Sequence, residues 1–189
     1  MIEFPPTVNH IDLNKFQNNK NISISEVRFK LFFNIKFDRN IIYDNKSKLE
    51  VDGLIIPNIN NKITHYDNDK LIWISPYEWI YISESNKFQN ICKKPKYTYI
   101  DDYKSIFDLS SSYTTIKLSG ENFINVLSKL TSLDILENIN SDYCAQSLVS
   151  NIKTIIWANN IQKEIFLTLN RSYSQHLLET ILDSSLEYI

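Results

Sequence analysis

Alternating apolar and polar residues dominate the second half of the chain and predict β-strands there. Residues Tyr113–Leu118 place Thr114, Ile116 and Leu118 on one face, as the two-residue period of a strand requires. Further along, three β-rich runs are separated by short polar turns, a pattern typical of an antiparallel meander. These runs are Cys144–Val149, Ile152–Trp157 and Glu164–Leu169.

Two helices are predicted by apolar residues that recur with the helical period. The first, over residues 121–130, follows Gly120 and Ser119, and we expect the Ser119 side chain to cap it. The second begins at Ser172, whose spacing to Gln175 matches a capping box. Their apolar faces consist of Phe123, Ile124, Leu127 and Leu130 in the first helix, and of Tyr173, Leu177, Leu178, Ile181 and Leu182 in the second.

The first half of the chain contains a predicted strand, Val27–Phe37, and a clear hairpin. The hairpin joins two β-rich runs, Leu71–Ile74 and Trp79–Ile82. Between them lie residues 75–78, in which Pro76 suits the second position of a type I turn.

We interpret the chain as an irregular N-terminal arm over residues 1–22 and a single domain over residues 23–189. A short helix is predicted over residues 84–94, and Pro95 would end it. The element order β-α-β-β-β-α in the C-terminal half indicates an α+β fold, with a mostly antiparallel sheet and helices packed on one of its faces.

Charge and apolar content exclude several classes of protein. The 20 basic and 22 acidic side chains leave a net charge of −2, without the clustered basic excess of a nucleic-acid binder. No window approaches the ~20 apolar residues that cross a bilayer, and the first ten residues lack the apolar run of a signal peptide. Together with two lone cysteines, Cys92 and Cys144, these features predict a cytoplasmic protein that binds neither nucleic acid nor a membrane.

Residues that could bind a metal or a cofactor are few. The three histidines, His10, His65 and His176, are far apart in the sequence, whereas zinc needs three or four convergent ligands. Two glycines, Gly53 and Gly120, are too few for the glycine-rich loops of Rossmann and P-loop proteins. We therefore expect no catalytic residue, no cofactor site and no metal site within this chain.

Acidic residues are the remaining candidates for proton transfer, but each has a stronger structural interpretation. A carboxylate at the boundary of an element accepts backbone N–H bonds, and a pair of adjacent surface acids is solvated. The candidates are Glu78, Asp101, Asp102, Asp108 and Asp134.

Arg171, Trp79 and Trp157 are the candidates for contact with a partner protein. Arg171 lies between a predicted strand end and a helix start, where its guanidinium could bind a partner's carboxylate, although an ion pair within the chain is the commoner use. Trp73, Trp79 and Trp157 lie in predicted strands, so core packing is the first expectation for each. A tryptophan that proves exposed would be an interface anchor.

Three stretches together carry a family resemblance. They are the hairpin over residues 71–80, the segment from Phe107–Ser110 through Leu118–Gly120 and Leu127 to Asp134, and the combination of Cys144–Ser147 with Ile156–Trp157 and Phe166–Ser172. In this order and spacing they resemble the gamma subunit of heterotetrameric sarcosine oxidase over about Leu54–Tyr188. The segment Asp108–Gly120 is also similar to the folate-binding aminomethyltransferase family. Ser75 and Glu121 depart from the glycine and proline that are usual in the gamma subunits.

The resemblance implies a place in a complex that oxidises sarcosine to glycine and transfers the one-carbon unit to tetrahydrofolate. It implies that a large alpha subunit binds NAD and tetrahydrofolate, that alpha and beta carry the flavins FAD and FMN, and that a small delta subunit binds zinc. The gamma subunit has no catalytic group assigned to it and packs on the folate-binding part of alpha.

The leading hypothesis is therefore a non-catalytic gamma subunit that stabilises or positions the alpha subunit. Two alternatives stay open. One is a stand-alone folate-binding protein resembling the aminomethyltransferases, and the other is an interaction module of a related N-methyl amino acid oxidase or of other partners.

Overall fold

The structure, a computed structural model, describes Phe16 and residues 19–37, 50–51, 54–57, 59–67, 69–84, 103–135, 142–159 and 163–189. The chain divides into two compact units. The first contains the described residues up to Arg28 and from Ser111 onward, and the second is Phe29–Ser110. The domain predicted over residues 23–189 includes residues of both units. The helix predicted over residues 84–94 lies outside the described residues.

The described residues form twelve strands and two α-helices. The strands are β1 Ser23–Val27, β2 Leu31–Phe37, β3 Glu50–Val51, β4 Leu54–Ile55, β5 Ile63–Tyr66, β6 Asp69–Ser75, β7 Glu78–Ser83, β8 Tyr103–Asp108, β9 Tyr113–Ser119, β10 Cys144–Val149, β11 Ile152–Asn159 and β12 Glu164–Asn170. The helices are α1 Phe123–Ser128 and α2 Ser174–Ser185, with short 3-10 turns at Arg171–Tyr173 and Leu186–Tyr188.

The first unit is built on an antiparallel sheet with the strand order β1-β9-β12-β11-β10. Its last three strands are the predicted meander, joined in turn by two-residue and longer connections. The turn Ser150–Asn151 has positive φ at both residues, as a tight hairpin requires. With α1 before the meander and α2 after it, the predicted β-α-β-β-β-α order and the α+β class are confirmed.

One face of this sheet and both helices form a single apolar core. Leu118 of β9 lies between Ile24 of β1 and Ile165 of β12 in the register, and all three are buried. The helices contribute Leu127 from α1 and Leu177 from α2 to the same cluster. Burying each such side chain stabilises the fold by about 1.5–3 kcal/mol.

The described part of the predicted N-terminal arm also belongs to this core. Phe16 and Ile22 are both buried in the cluster that the helices cover. The amide of Ile24 donates to the carbonyl of Phe16 at 3.2 Å, which holds this segment against β1.

The first predicted helix is shorter than expected and is not capped by Ser119. Ser119 is the last residue of β9, where it pairs with Ser23 of β1. The residue that precedes the helix is Asn122, and its side chain does not cap the free amides. Because pairing with β1 extends β9 through Ser119, the helix begins only at Phe123.

The start of the last helix also differs from the predicted capping box. The Asn170 side chain accepts hydrogen bonds from the amide and hydroxyl of Ser172, at 3.0 and 2.9 Å. Gln175 instead donates to Glu179 within the helix, at 2.9 Å. The predicted apolar face is buried or partly buried except at Tyr173, which is 55% exposed because it lies in the 3-10 turn before α2.

The second unit contains an antiparallel sheet with the order β5-β6-β7-β2-β8. The predicted hairpin is confirmed: β6 and β7 are joined by Pro76 and Tyr77, and Ser75 is paired with Glu78. The alternate residues Phe33 and Ile35 of β2 pack in the core of this unit with other apolar side chains.

The prediction of a single strand over Val27–Phe37 is wrong. The chain leaves the first sheet after Val27 and enters the second at Leu31, with Arg28–Lys30 between the two strands. The strand β8 was not predicted, and it forms an edge of the second sheet.

Candidate functional site

Trp157 is buried at the centre of a cross-strand cluster in the first unit. Strand β11 places its indole opposite Phe166 of β12, and the two rings stack with centroids 4.0 Å apart and an interplanar angle of 7°. The indole N–H donates to Thr168 Oγ1 at 3.0 Å. Thr168 in turn shares a hydrogen bond with Thr115 Oγ1 at 2.9 Å. The cluster therefore satisfies the polar atoms of a side chain that is only 1% exposed.

Trp79 has the same role in the second unit. It is 2% exposed, its indole N–H donates to the carbonyl of Pro57 at 3.3 Å, and its ring lies edge-on to Phe37. Trp73 is partly buried and packs against the same core. Core packing, the first expectation for the tryptophans, is confirmed for Trp79 and Trp157. Neither of these two side chains presents a surface that a partner could contact.

Arg171 lies where the sequence places it, between the end of β12 and the last helix. Its amide donates to the carbonyl of Ser112 at 2.8 Å, and its own carbonyl accepts from Ser174 Oγ at 2.7 Å. The side chain is partly exposed and has interactions within the chain. These two hydrogen bonds hold the backbone of Arg171 in place.

Glu78 is the acidic candidate with the most defined surroundings. Its carboxylate accepts a hydrogen bond from Asn34 Nδ2 at 2.7 Å and lies 3.5 Å from Lys36 Nζ. Asn34 is itself buried among the apolar residues of β2. Glu78 therefore compensates the burial of an amide, which is a structural task. Asn34 is a polar residue inside the apolar run of a strand, and this could have indicated that a buried amide needs a partner such as Glu78. Our sequence reasoning missed it.

Asp108 and Asp134 are the other acidic candidates within the described residues, and they belong to different units. Asp108 accepts the amide of Ser110 at 2.9 Å, which is the boundary role predicted for it. Asp134 is exposed at the loop that follows α1, in the other unit from Asp108. Asp101 and Asp102 lie outside the described residues.

The histidines and cysteines do not form a cluster where the structure describes them. His176 lies on the exposed side of α2, and His65 is exposed on β5. Cys144 is buried in β10. His10 and Cys92 lie outside the described ranges. Among the residues that the structure describes, no three His, Cys, Asp or Glu side chains are arranged to hold a metal ion.

An apolar depression in the first unit lies beside Trp157 and is also lined by Tyr143 and Ile165. Its volume is about 10 Å³, which is room for about one water molecule. Pockets for drug-sized ligands have volumes of about 300–1,000 Å³. A pteridine ring does not fit into this depression.

Within the part of the chain that the structure describes, two groups of titratable side chains have perturbed pKa values. Burial lowers the pKa of Lys70, and the charges of Glu84 and Asp69 partly oppose this effect. At the surface of the first unit, a hydrogen bond to Glu187 raises the pKa of Lys129 and the same bond lowers the pKa of Glu187. Lys129 also lies over the ring of Tyr188, so this group ties the end of α1 to the C-terminal turn.

The fold of this chain is similar to those of solved structures, among them a sarcosine oxidase chain and an aminomethyltransferase. A chain of heterotetrameric sarcosine oxidase from Corynebacterium sp. U-96, in complex with pyrrole 2-carboxylate, matches with a TM-score of 0.72 and 14% sequence identity, over 93% of this chain and 90% of that one. The glycine cleavage system aminomethyltransferase T from Bartonella henselae matches 92% of this chain, with a TM-score of 0.62 and 12% identity. This chain shares their fold.

At such low identities the likeness shows the fold alone, and it confirms the fold that the sequence motifs led us to expect. The match covers 49% of the aminomethyltransferase, so this chain spans about half the length of that protein. No protein-family model and no curated protein matches the sequence. No helix in the described ranges is long and apolar enough to span a membrane.

Proposed function

We propose that this chain is a non-catalytic subunit, of the gamma type, in a multi-subunit oxidase that converts sarcosine to glycine and transfers the one-carbon unit to tetrahydrofolate. One observation carries the proposal. The fold match to a sarcosine oxidase chain extends over 93% of this chain and 90% of that one, so most of each chain takes part in the match.

The described side chains support a structural role. The carboxylates of Glu78 and Asp108 are engaged in compensating a buried amide and a turn amide. The depression beside Trp157 is too small for a cofactor. In the proposed complex, FAD, FMN, NAD, tetrahydrofolate and zinc are bound by the alpha, beta and delta subunits, and this chain stabilises or positions alpha.

Purification of the tagged chain from its native cells tests the proposal. We expect a complex with a large subunit in equal amount, flavin absorbance, and oxygen consumption that depends on sarcosine. Cells that lack this chain should yield a large subunit that aggregates or unfolds at a lower temperature. Recovery of the chain alone, or with proteins that do not oxidise sarcosine, would contradict the proposal. Oxidation of another N-methyl amino acid in place of sarcosine would assign the chain to a related oxidase.

The fold match to the aminomethyltransferase favours a second candidate, a stand-alone folate-binding protein. Calorimetry of the isolated chain with tetrahydrofolate separates the two candidates. The subunit proposal predicts no heat of binding from the isolated chain, whereas the second candidate predicts saturable binding with one site. Binding by the chain alone would favour the second candidate over the first.

Within the proposed complex, we assign Arg171 to the contact with alpha, where it binds a carboxylate with two parallel hydrogen bonds. Lysine cannot reproduce this paired geometry. Arg171→Lys should therefore weaken binding to alpha about tenfold or more, a loss of about 1.4 kcal/mol. Lys153→Ala, at an exposed position of the same sheet, is the control and should bind normally. Equal affinity of Arg171→Lys and the native chain would remove Arg171 from the interface.

A further inference from the structure

We draw no further inference here: the strongest candidate, the outer edge of the strand Tyr103–Asp108 with the half-exposed side chain of Phe107, carries none because nothing in the described residues shows what covers it.

Discussion

Gly120 and Asn21 are in direct backbone contact, because a Cβ atom at Gly120 would lie 2.7 Å from the carbonyl oxygen of Asn21. The amide of Asn122 donates to that carbonyl at 2.8 Å, and the amide of Glu121 donates to Lys20 at 3.0 Å. Gly120 also has a φ of +109°, which side chains with a Cβ rarely adopt. The absence of a side chain at Gly120 thus lets the segment before β1 dock against the start of α1.

Gly120→Ala should destabilise the protein by about 2–3 kcal/mol, since alanine adds both backbone strain and a clash with Asn21. Urea unfolding of the purified chain measures the change. Ser119→Ala is the matched control, because Ser119 lies in β9 and does not cap the helix. Its effect should be within about 0.5 kcal/mol. A stability of Gly120→Ala equal to that of the control would show that the contact is absent.

Thr168→Val should cost about 1–3 kcal/mol, because it leaves the buried indole N–H of Trp157 and the hydroxyl of Thr115 without this partner. The adjacent strand supplies a control, Thr154→Val, since Thr154 is equally buried but bonds only to the nearby carbonyl of Ile152. The control should lose less than about 1 kcal/mol.

The Thr115–Thr168 hydrogen bond adds a test by double mutation. Thr115→Val should lose part of its effect when Thr168 is already valine, since the bond between the two hydroxyls is already absent in that background. Chemical denaturation of the single and double variants gives the coupling. Strictly additive losses would mean that the two hydroxyls do not interact.

Asn170→Ala should destabilise the last helix by about 1 kcal/mol, since the Asn170 side chain accepts the amide of Ser172 at the start of the 3-10 turn. Gln175→Ala should have almost no effect, because Gln175 bonds to Glu179 on the exposed helix surface and closes no capping box. Thermal unfolding followed by circular dichroism compares the two variants. A larger loss of stability for Gln175→Ala than for Asn170→Ala would instead support the capping box that the sequence predicts.

Glu78→Ala should cost about 1–3 kcal/mol, because it leaves the buried amide of Asn34 without its acceptor. Lys36→Ala keeps that hydrogen bond and removes only a partly exposed ion pair, so its cost should be below about 1 kcal/mol. Both are measured by denaturant unfolding. In the proposed sarcosine-oxidising complex, Glu78→Gln should leave the rate of oxidation unchanged, and a large loss of rate would instead assign a proton-transfer role to Glu78.

Lys70→Met should make the protein slightly more stable at neutral pH and change how stability depends on pH. Burial lowers the pKa of Lys70 in the folded state, so the unfolded chain binds more protons between that lowered pKa and the ordinary value of 10.5. The free energy of unfolding of the native protein should therefore rise with pH in that window.

The Lys70→Met variant should lack this rise. Its gain in the free energy of unfolding at neutral pH should be below about 1 kcal/mol, because the Lys70 side chain is partly exposed and the charges of Glu84 and Asp69 offset the effect of burial. Unfolding curves at several alkaline pH values check the slope. Lys153→Met, at an exposed position, should keep the native slope. An unchanged slope in Lys70→Met would exclude Lys70 as its source.

The elements that sequence reasoning predicted well are those whose signals are local. The hairpin around Pro76 follows from turn chemistry within four residues, and the meander from three alternating runs with short connections. The element order of the C-terminal half then follows, since short connections favour antiparallel neighbours. The family motifs lie in the same elements, which is why they led to the fold that the structural matches confirm.

Two of the errors occur where a distant part of the chain decides the local structure. Ser119 has the residue type of a helix cap, but pairing with Ser23 makes it part of β9. The apolar run Val27–Phe37 has the composition of one strand, yet its two ends belong to different sheets. Local propensity carries no information about these pairings.

For the site residues, the amino-acid sequence determined the candidates and the tertiary structure decided their environments. The sequence identified Trp79, Trp157 and Arg171 as candidates for contact with a partner, and its few glycines and separated histidines argued against familiar cofactor sites. Only the fold showed that both tryptophans are buried while Arg171 is partly exposed at the surface. The physical reason is that burial depends on the neighbours a residue acquires in three dimensions, whereas residue type and spacing describe only the chain around it.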